Sequence, residues 1–82
     1  MPYTVIPGPG AEDALAWIWL LASDRQALAR ASDAIDAILR TAPYSGKAHG
    51  IYRHLTVAPL TVVYRVSEPD RLVTILDYLY HG

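Results

Sequence analysis

Apolar and polar residues alternate with different periods along this chain. Tyr3-Thr4-Val5-Ile6 reads as a short strand, closed by Pro7-Gly8-Pro9-Gly10, a run of chain breakers that predicts a turn. From about Ala11 to Ala22 the chain reads as a first helix. Glu12 and Asp13 lie in its first turn, where carboxylates complement the positive end of the dipole. Ser23-Asp24-Arg25-Gln26 has the form of a capping box and predicts the start of a second helix. Leu28, Ala31, Ile35, Ile38 and Leu39 then share one stripe, with Arg25, Asp33, Asp36 and Arg40 largely elsewhere, until Pro43 stops the helix. The tight break between the two predicts an antiparallel helical hairpin.

In the second half the period drops to two. Residues 51–57 and 60–66 read as strands folded about Ala58-Pro59, and the run Leu72 to His81 supplies a third. On the middle strand Leu60, Val62, Tyr64 and Val66 point to the core, and Thr61, Val63 and Arg65 point away. The same parity turns Leu55 and Val57 inward and leaves Tyr52, His54 and Thr56 outside. On the last strand Val73, Ile75 and Leu79 alternate with Leu72, Leu76, Tyr78 and Tyr80; both sets are largely apolar, which predicts a central strand or an aromatic outer face. The resulting order is β-α-α-β-β-β, an α+β domain with a two-helix hairpin packed on one face of a small antiparallel sheet.

The first helix is apolar on every side: Ala14-Leu15-Ala16-Trp17-Ile18-Trp19-Leu20-Leu21-Ala22. Leu15, Ile18 and Ala22 lie about one turn apart and suit the sheet, which leaves Trp17, Leu20 and Leu21 pointing elsewhere. Either the second helix covers this remainder, or Trp17, Trp19, Leu20 and Leu21 form a docking surface for a partner segment or a second copy. Tryptophan is enriched at the anchors of such interfaces.

Composition narrows the function classes. At 82 residues the chain makes one domain, residues 1–82, with 52% apolar and 18% charged residues. It has no cysteine, so disulfides and thiolate metal sites are out of reach, which fits the cytoplasm. The first residues lack the basic start of a signal peptide, and the uncharged run from Ala14 to the residue before Asp24 is too short to span a bilayer. No membrane association is expected. The net charge is −1, whereas nucleic-acid binders usually carry a basic surplus. The first 41 residues hold three arginines against five acids. The last 41 hold Lys47, Arg53, Arg65 and Arg71 against Glu68, Asp70 and Asp77, together with His49, His54 and His81. The cations gather weakly on the strands.

A strand, two helices and a three-strand meander, with Tyr64-Arg65 on the returning strand and a His-Gly end, resemble the RelE/ParE superfamily of bacterial toxin–antitoxin toxins over almost the whole chain. The resemblance implies a cytoplasmic growth inhibitor neutralised by a cognate antitoxin. Its target would be the ribosome and its mRNA, as an endonuclease, or DNA gyrase, in the ParE manner. It also implies a catalytic outer sheet face with basic residues on strand 51–57, an arginine near the start of the next, and a basic or aromatic group towards the end. Aligned on Tyr52 and Val62-Val63-Tyr64, these positions fall on Arg53, Leu55 and Thr61, and Arg53 rather than His54 would face outward. Parity favours His54, so both stay candidates.

RNA cleavage through the 2′-hydroxyl needs a base, stabilisation of a dianionic phosphorane and an acid for the leaving oxygen. Leu55 and Thr61 supply none of these. The candidates left are Arg53 or Arg65 as phosphate clamp and His54, His81 or Tyr80 as acid or base, so weak cleavage or none is expected. Without the missing charges, the gyrase branch is at least as plausible as RNA cleavage, and a non-catalytic or degenerate protein-binding module of the same fold is the alternative. The three histidines have no metal-ligand spacing. Neither Gly8-Pro9-Gly10 nor Ser45-Gly46-Lys47 has the context of a phosphate loop, so no metal and no cofactor is expected.

Overall fold

The computed structural model describes residues 2–81. Strand β1 (Thr4–Pro7) leads into helix α1 (Pro9–Leu21) and helix α2 (Arg25–Thr41), followed by a short 3₁₀ turn at Pro43–Ser45. Strands β2 (Lys47–His49), β3 (Tyr52–Val57), β4 (Leu60–Ser67) and β5 (Leu72–Tyr80) complete the chain. They form one five-stranded sheet in the order β1-β5-β4-β3-β2. Both helices contribute to a single core on one face: α1 lies over β5 and β1, and α2 over β1, β3 and β4. Among the described residues no helix is long and apolar enough to cross a membrane.

The α+β architecture matches the expectation, with three local corrections. Helix α1 begins at Pro9 with Gly8 as its cap, not at Ala11. Proline tolerates the first helical position because the amide it lacks would have no partner there. Helix α2 is capped by Asp24, whose carboxylate accepts from the Ala27 amide at 3.0 Å, so Ser23 is not the cap. The sheet is mixed rather than antiparallel. β1 runs parallel to β5, with Val5 opposite Val73: the helical hairpin delivers the chain into β2 running opposite to β1, and the three antiparallel pairings β2–β3, β3–β4 and β4–β5 then bring β5 back in the direction of β1.

The sequence pattern also missed β2 and a bulge. Lys-Ala-His has no apolar alternation, yet it pairs antiparallel with β3 through a two-residue loop, and Gly50 takes φ 63° there. In the β4–β5 pair Tyr64 stands opposite Ile75 but Val63 stands opposite Asp77, so Leu76 is an extra residue. The bulge reverses the parity of β5. Val73, Ile75, Tyr78 and Tyr80 therefore face the helices, and Leu79 lies exposed on the other side. The core is otherwise the one the stripes define: Ile18 from α1, Leu28, Ile35 and Leu39 from α2, and Leu60, Val62 and Tyr64 from β4.

Candidate functional site

One face of the sheet carries the helices and the other is open. Directly paired residues share a face, so the register fixes the open surface as cross-strand rows. Lys47, His54, Val63 and Asp77 form one row across β2, β3, β4 and β5. Thr56, Thr61 and Leu79 form the next. On the far side of the first row His49 pairs with Tyr52, and Arg65 pairs with Thr74. The His49 and His54 rings lie 4.4 Å apart between centroids, tilted by 36°. His81, just past β5, donates its backbone amide to the Pro59 carbonyl at 2.7 Å, and its Nε2 lies 2.6 Å from the Thr61 hydroxyl. That hydroxyl in turn lies 2.8 Å from the hydroxyl of Thr56.

The sequence candidates therefore separate. His54, Arg65 and His81 come together on the open face, joined by Lys47, His49, Tyr52, Thr56 and Thr61. Arg65 is exposed and forms no ion pair with Asp77, which stands opposite Val63. Arg53 pairs with the buried Tyr64 and so faces the helices. Its guanidinium donates to the carbonyls of Tyr44 and Gly46, at 3.2 and 2.9 Å, and covers the Tyr44 ring at 4.9 Å. Tyr80 packs on the core opposite Leu60, away from His81's ring. Leu55 also packs on the core, so a basic side chain at its position would not reach the open face. The parity of β3, with His54 outward, holds over the alignment that favoured Arg53.

Lys47 and His49 were missed because β2 is too short to show a pattern of its own. The available signal was local: Lys-x-His, then Gly50-Ile51, then Tyr-x-His, which is the spacing of a tight hairpin carrying Lys47, His49, Tyr52 and His54 on one face.

A second cluster ties the ends of the fold together. Glu68, in the β4–β5 turn, accepts from the Tyr3 hydroxyl at 2.8 Å, from the Tyr44 hydroxyl, and from Arg71 at 3.3 Å. Arg71 covers the Tyr3 ring at 4.2 Å. Hydrogen bonds from Tyr44 and Tyr3, helped by the Arg71 charge, hold the Glu68 carboxyl below its ordinary range against a smaller opposing effect of burial. The same bonds to Glu68 raise both tyrosines. A cavity of about 440 Å³ beside Arg65 is also lined by Ser67, Glu68, Asp70, Leu72 and Thr74; its carboxylates disfavour an anion there. Among the described residues no group of three or more His, Asp or Glu could hold a metal ion.

On α1 the outward stripe is bare. Trp17, Leu20 and Leu21 are 66, 68 and 72% exposed, opposite the buried Ala11 and Ile18. Trp19 differs: it is half-buried and packs against the core. Helix α2 does not cover the stripe, because it lies on the sheet in its own right.

No protein-family model matches the sequence, and no curated protein matches it. Among solved structures, a similar chain belongs to the crystal structure of the toxin–antitoxin complex RelBE2 from Mycobacterium tuberculosis. The two share 20% identity and superpose with a TM-score of 0.78 over 98% of this chain and 99% of that one. The likeness is one of fold, and it is end to end.

Proposed function

We propose that this chain is the toxin of a toxin–antitoxin pair, a growth inhibitor neutralised by a cognate antitoxin, and that it cleaves messenger RNA on the ribosome through the open face of its sheet. The gathering of His54, His81, Arg65, Lys47 and Tyr52 on one uncovered face carries this reading. The fold is shared, end to end, with a chain of a toxin–antitoxin complex, which supports the biological context.

The chemistry divides among these residues. His81 and His54 are suited to take the 2′-hydroxyl proton and to protonate the leaving oxygen. The His81 ring sits against Thr61, one strand over and one row along from His54, positions roughly 8 Å apart at the backbone given about 4.8 Å between strands and about 7 Å between alternate residues. Arg65 and Lys47 supply positive charge for the phosphorane, and Tyr52 offers a ring on which a base stacks. With a net charge of −1 the face holds free RNA poorly, which fits an enzyme that meets its message inside the ribosome. Thr61 stands where the resemblance implies an arginine, so cleavage is expected to be slower than in a fully charged member of that superfamily. Arg53 and Tyr80 serve the reaction indirectly, one by holding the Tyr44–Gly46 loop and the other by packing β5.

The bare stripe on α1 supports the antitoxin contact. An amphipathic segment laid along it would bury Trp17, Leu20 and Leu21, with Trp19 at the flank, and a tryptophan anchor of this kind contributes about 2–4 kcal/mol.

Induced expression tests the function. Growth arrest with messages cut within translated codons, relieved by co-expressing a cognate antitoxin and by His54→Ala, Arg65→Ala or His81→Ala, is the expected result. Arrest with damaged DNA and intact messages would make gyrase the target. No arrest at all would leave a protein-binding module.

A further inference from the structure

Thr61 is 7% exposed, and its hydroxyl touches two polar partners, Thr56 Oγ1 at 2.8 Å and His81 Nε2 at 2.6 Å. A hydroxyl has one proton to donate, so between two partners it donates to one and accepts from the other. The direction of one bond therefore sets the direction of the other. When the His81 ring is charged, Nε2 can only donate. Thr61 then accepts, and its own proton goes to Thr56.

We propose that the same direction holds in the neutral ring. His81 Nε2–H donates to Thr61, and Thr61 donates to Thr56. Nδ1, which has no hydrogen bond among the described residues, is the nitrogen that takes up and releases the proton. In this arrangement one proton arrives or leaves at Nδ1 and neither hydroxyl has to turn. The opposite direction would force both to reverse in every cycle. A site that needs no reorganisation at the moment of reaction loses no free energy to it. The backbone bond from His81 to the Pro59 carbonyl fixes the other end of the residue. The titratable and charged groups facing the same side are Lys47, His54 and Asp77 in the adjoining row and His49, Tyr52 and Arg65 beyond it, and both helices lie on the opposite face. Thr61 and Thr56 are thus positioning residues for His81. This rests on the role given to His81 above.

The test is nitrogen NMR of the imidazoles in the labelled full chain, in mildly alkaline buffer, with the His81 signals assigned by their loss in His81→Ala. Wild type and Thr61→Ser should show the Nε2–H tautomer at His81. Thr61→Val should show mixed tautomers. Thr56→Val removes the acceptor of the Thr61 proton, turns that proton towards the ring and should switch His81 to the Nδ1–H tautomer. Should Thr61→Val fail to fold, Thr56→Val at the exposed end decides the matter alone. A wild-type Nδ1–H tautomer, or tautomers unchanged by both valine substitutions, would overturn the relay. In the induced-expression assay Thr61→Val should lower inhibition about 10- to 100-fold, with Thr61→Ser close to wild type. If the tautomers behave as expected but His81→Ala still arrests growth, the relay stands and the catalytic assignment of His81 falls.

Discussion

Replacing Tyr64 with phenylalanine removes a single oxygen from a place that water does not reach. The side chain has no exposed surface, and its hydroxyl donates to the Pro43 carbonyl at 2.6 Å. Burial raises the phenol's pKa, so it stays neutral and available as a donor. The bond fastens the turn after α2 to the middle of the sheet. That turn in turn receives Arg53 and delivers Lys47 and His49 to the open face. A neutral hydrogen bond contributes about 1 kcal/mol net, and a buried carbonyl left without its donor raises the loss to about 1–3 kcal/mol. In a domain of this size each kcal/mol lowers the melting temperature by about 4–8 °C, so a loss near 2 kcal/mol should lower it by about 8–16 °C. Thermal and urea unfolding of the purified chain, followed by circular dichroism, would measure this. The urea m-value should not change, because the surface exposed on unfolding is the same. Gly46→Ala should cost more still. A Cβ there would collide with the Tyr64 hydroxyl and stand 2.7 Å from the His54 carbonyl oxygen, and neither neighbour is free to move. A Tyr64→Phe midpoint within about 2 °C of wild type would refute the reasoning, since the Pro43 carbonyl would then not depend on the phenol.

Glu68 binds its proton more weakly in the folded chain than in the unfolded one, so its stabilisation is present above the ordinary glutamate range and is lost as pH falls through and below it. Glu68→Gln should flatten the acid side of a plot of melting temperature against pH. Tyr3 and Tyr44 are raised, so what they contribute is held below about pH 10 and lost above it; Tyr3→Phe with Tyr44→Phe should lessen the alkaline decline, leaving the part due to the buried Tyr64 and the half-buried Tyr78. Trp17→Ala, at a side chain 66% exposed, should change stability by no more than about 0.5 kcal/mol while weakening antitoxin binding measured by calorimetry; equal losses in both would mean the indole belongs to the core. Arg53→Ala should lower the melting temperature by loosening the Tyr44–Gly46 loop, whereas Arg65→Ala should leave it within about 2 °C and reduce growth arrest. The reverse pattern would exchange their roles.

Periodicity alone determined most of this fold. The α2 stripe of Leu28, Ala31, Ile35 and Leu39 and the β4 set of Leu60, Val62 and Tyr64 are buried as their spacing dictates, because a helix or a strand shows one face per period whatever it packs on. That Trp17, Leu20 and Leu21 point away from the sheet was legible for the same reason, since a helix apolar all round has more surface than one sheet can cover; that α2 leaves them bare was decided only by where α2 packs. What the sequence could not decide depends on pairing between distant segments. Strand direction leaves no mark on alternation, so the parallel β1–β5 edge was invisible. The extra residue at Leu76 shows only against Val63 and Tyr64 on the neighbouring strand, and without it Leu79 keeps the wrong face. Arg53 and His54 are adjacent in sequence and both stand as candidates for the open face; the pairing of Arg53 with Tyr64 sends one to the Gly46 carbonyl and the other to the open face. Likewise Thr61 and His81 lie 20 residues apart. Only the closing of β4 on β5 brings that hydroxyl to that ring, because a sheet sums contacts across strands that no local pattern records.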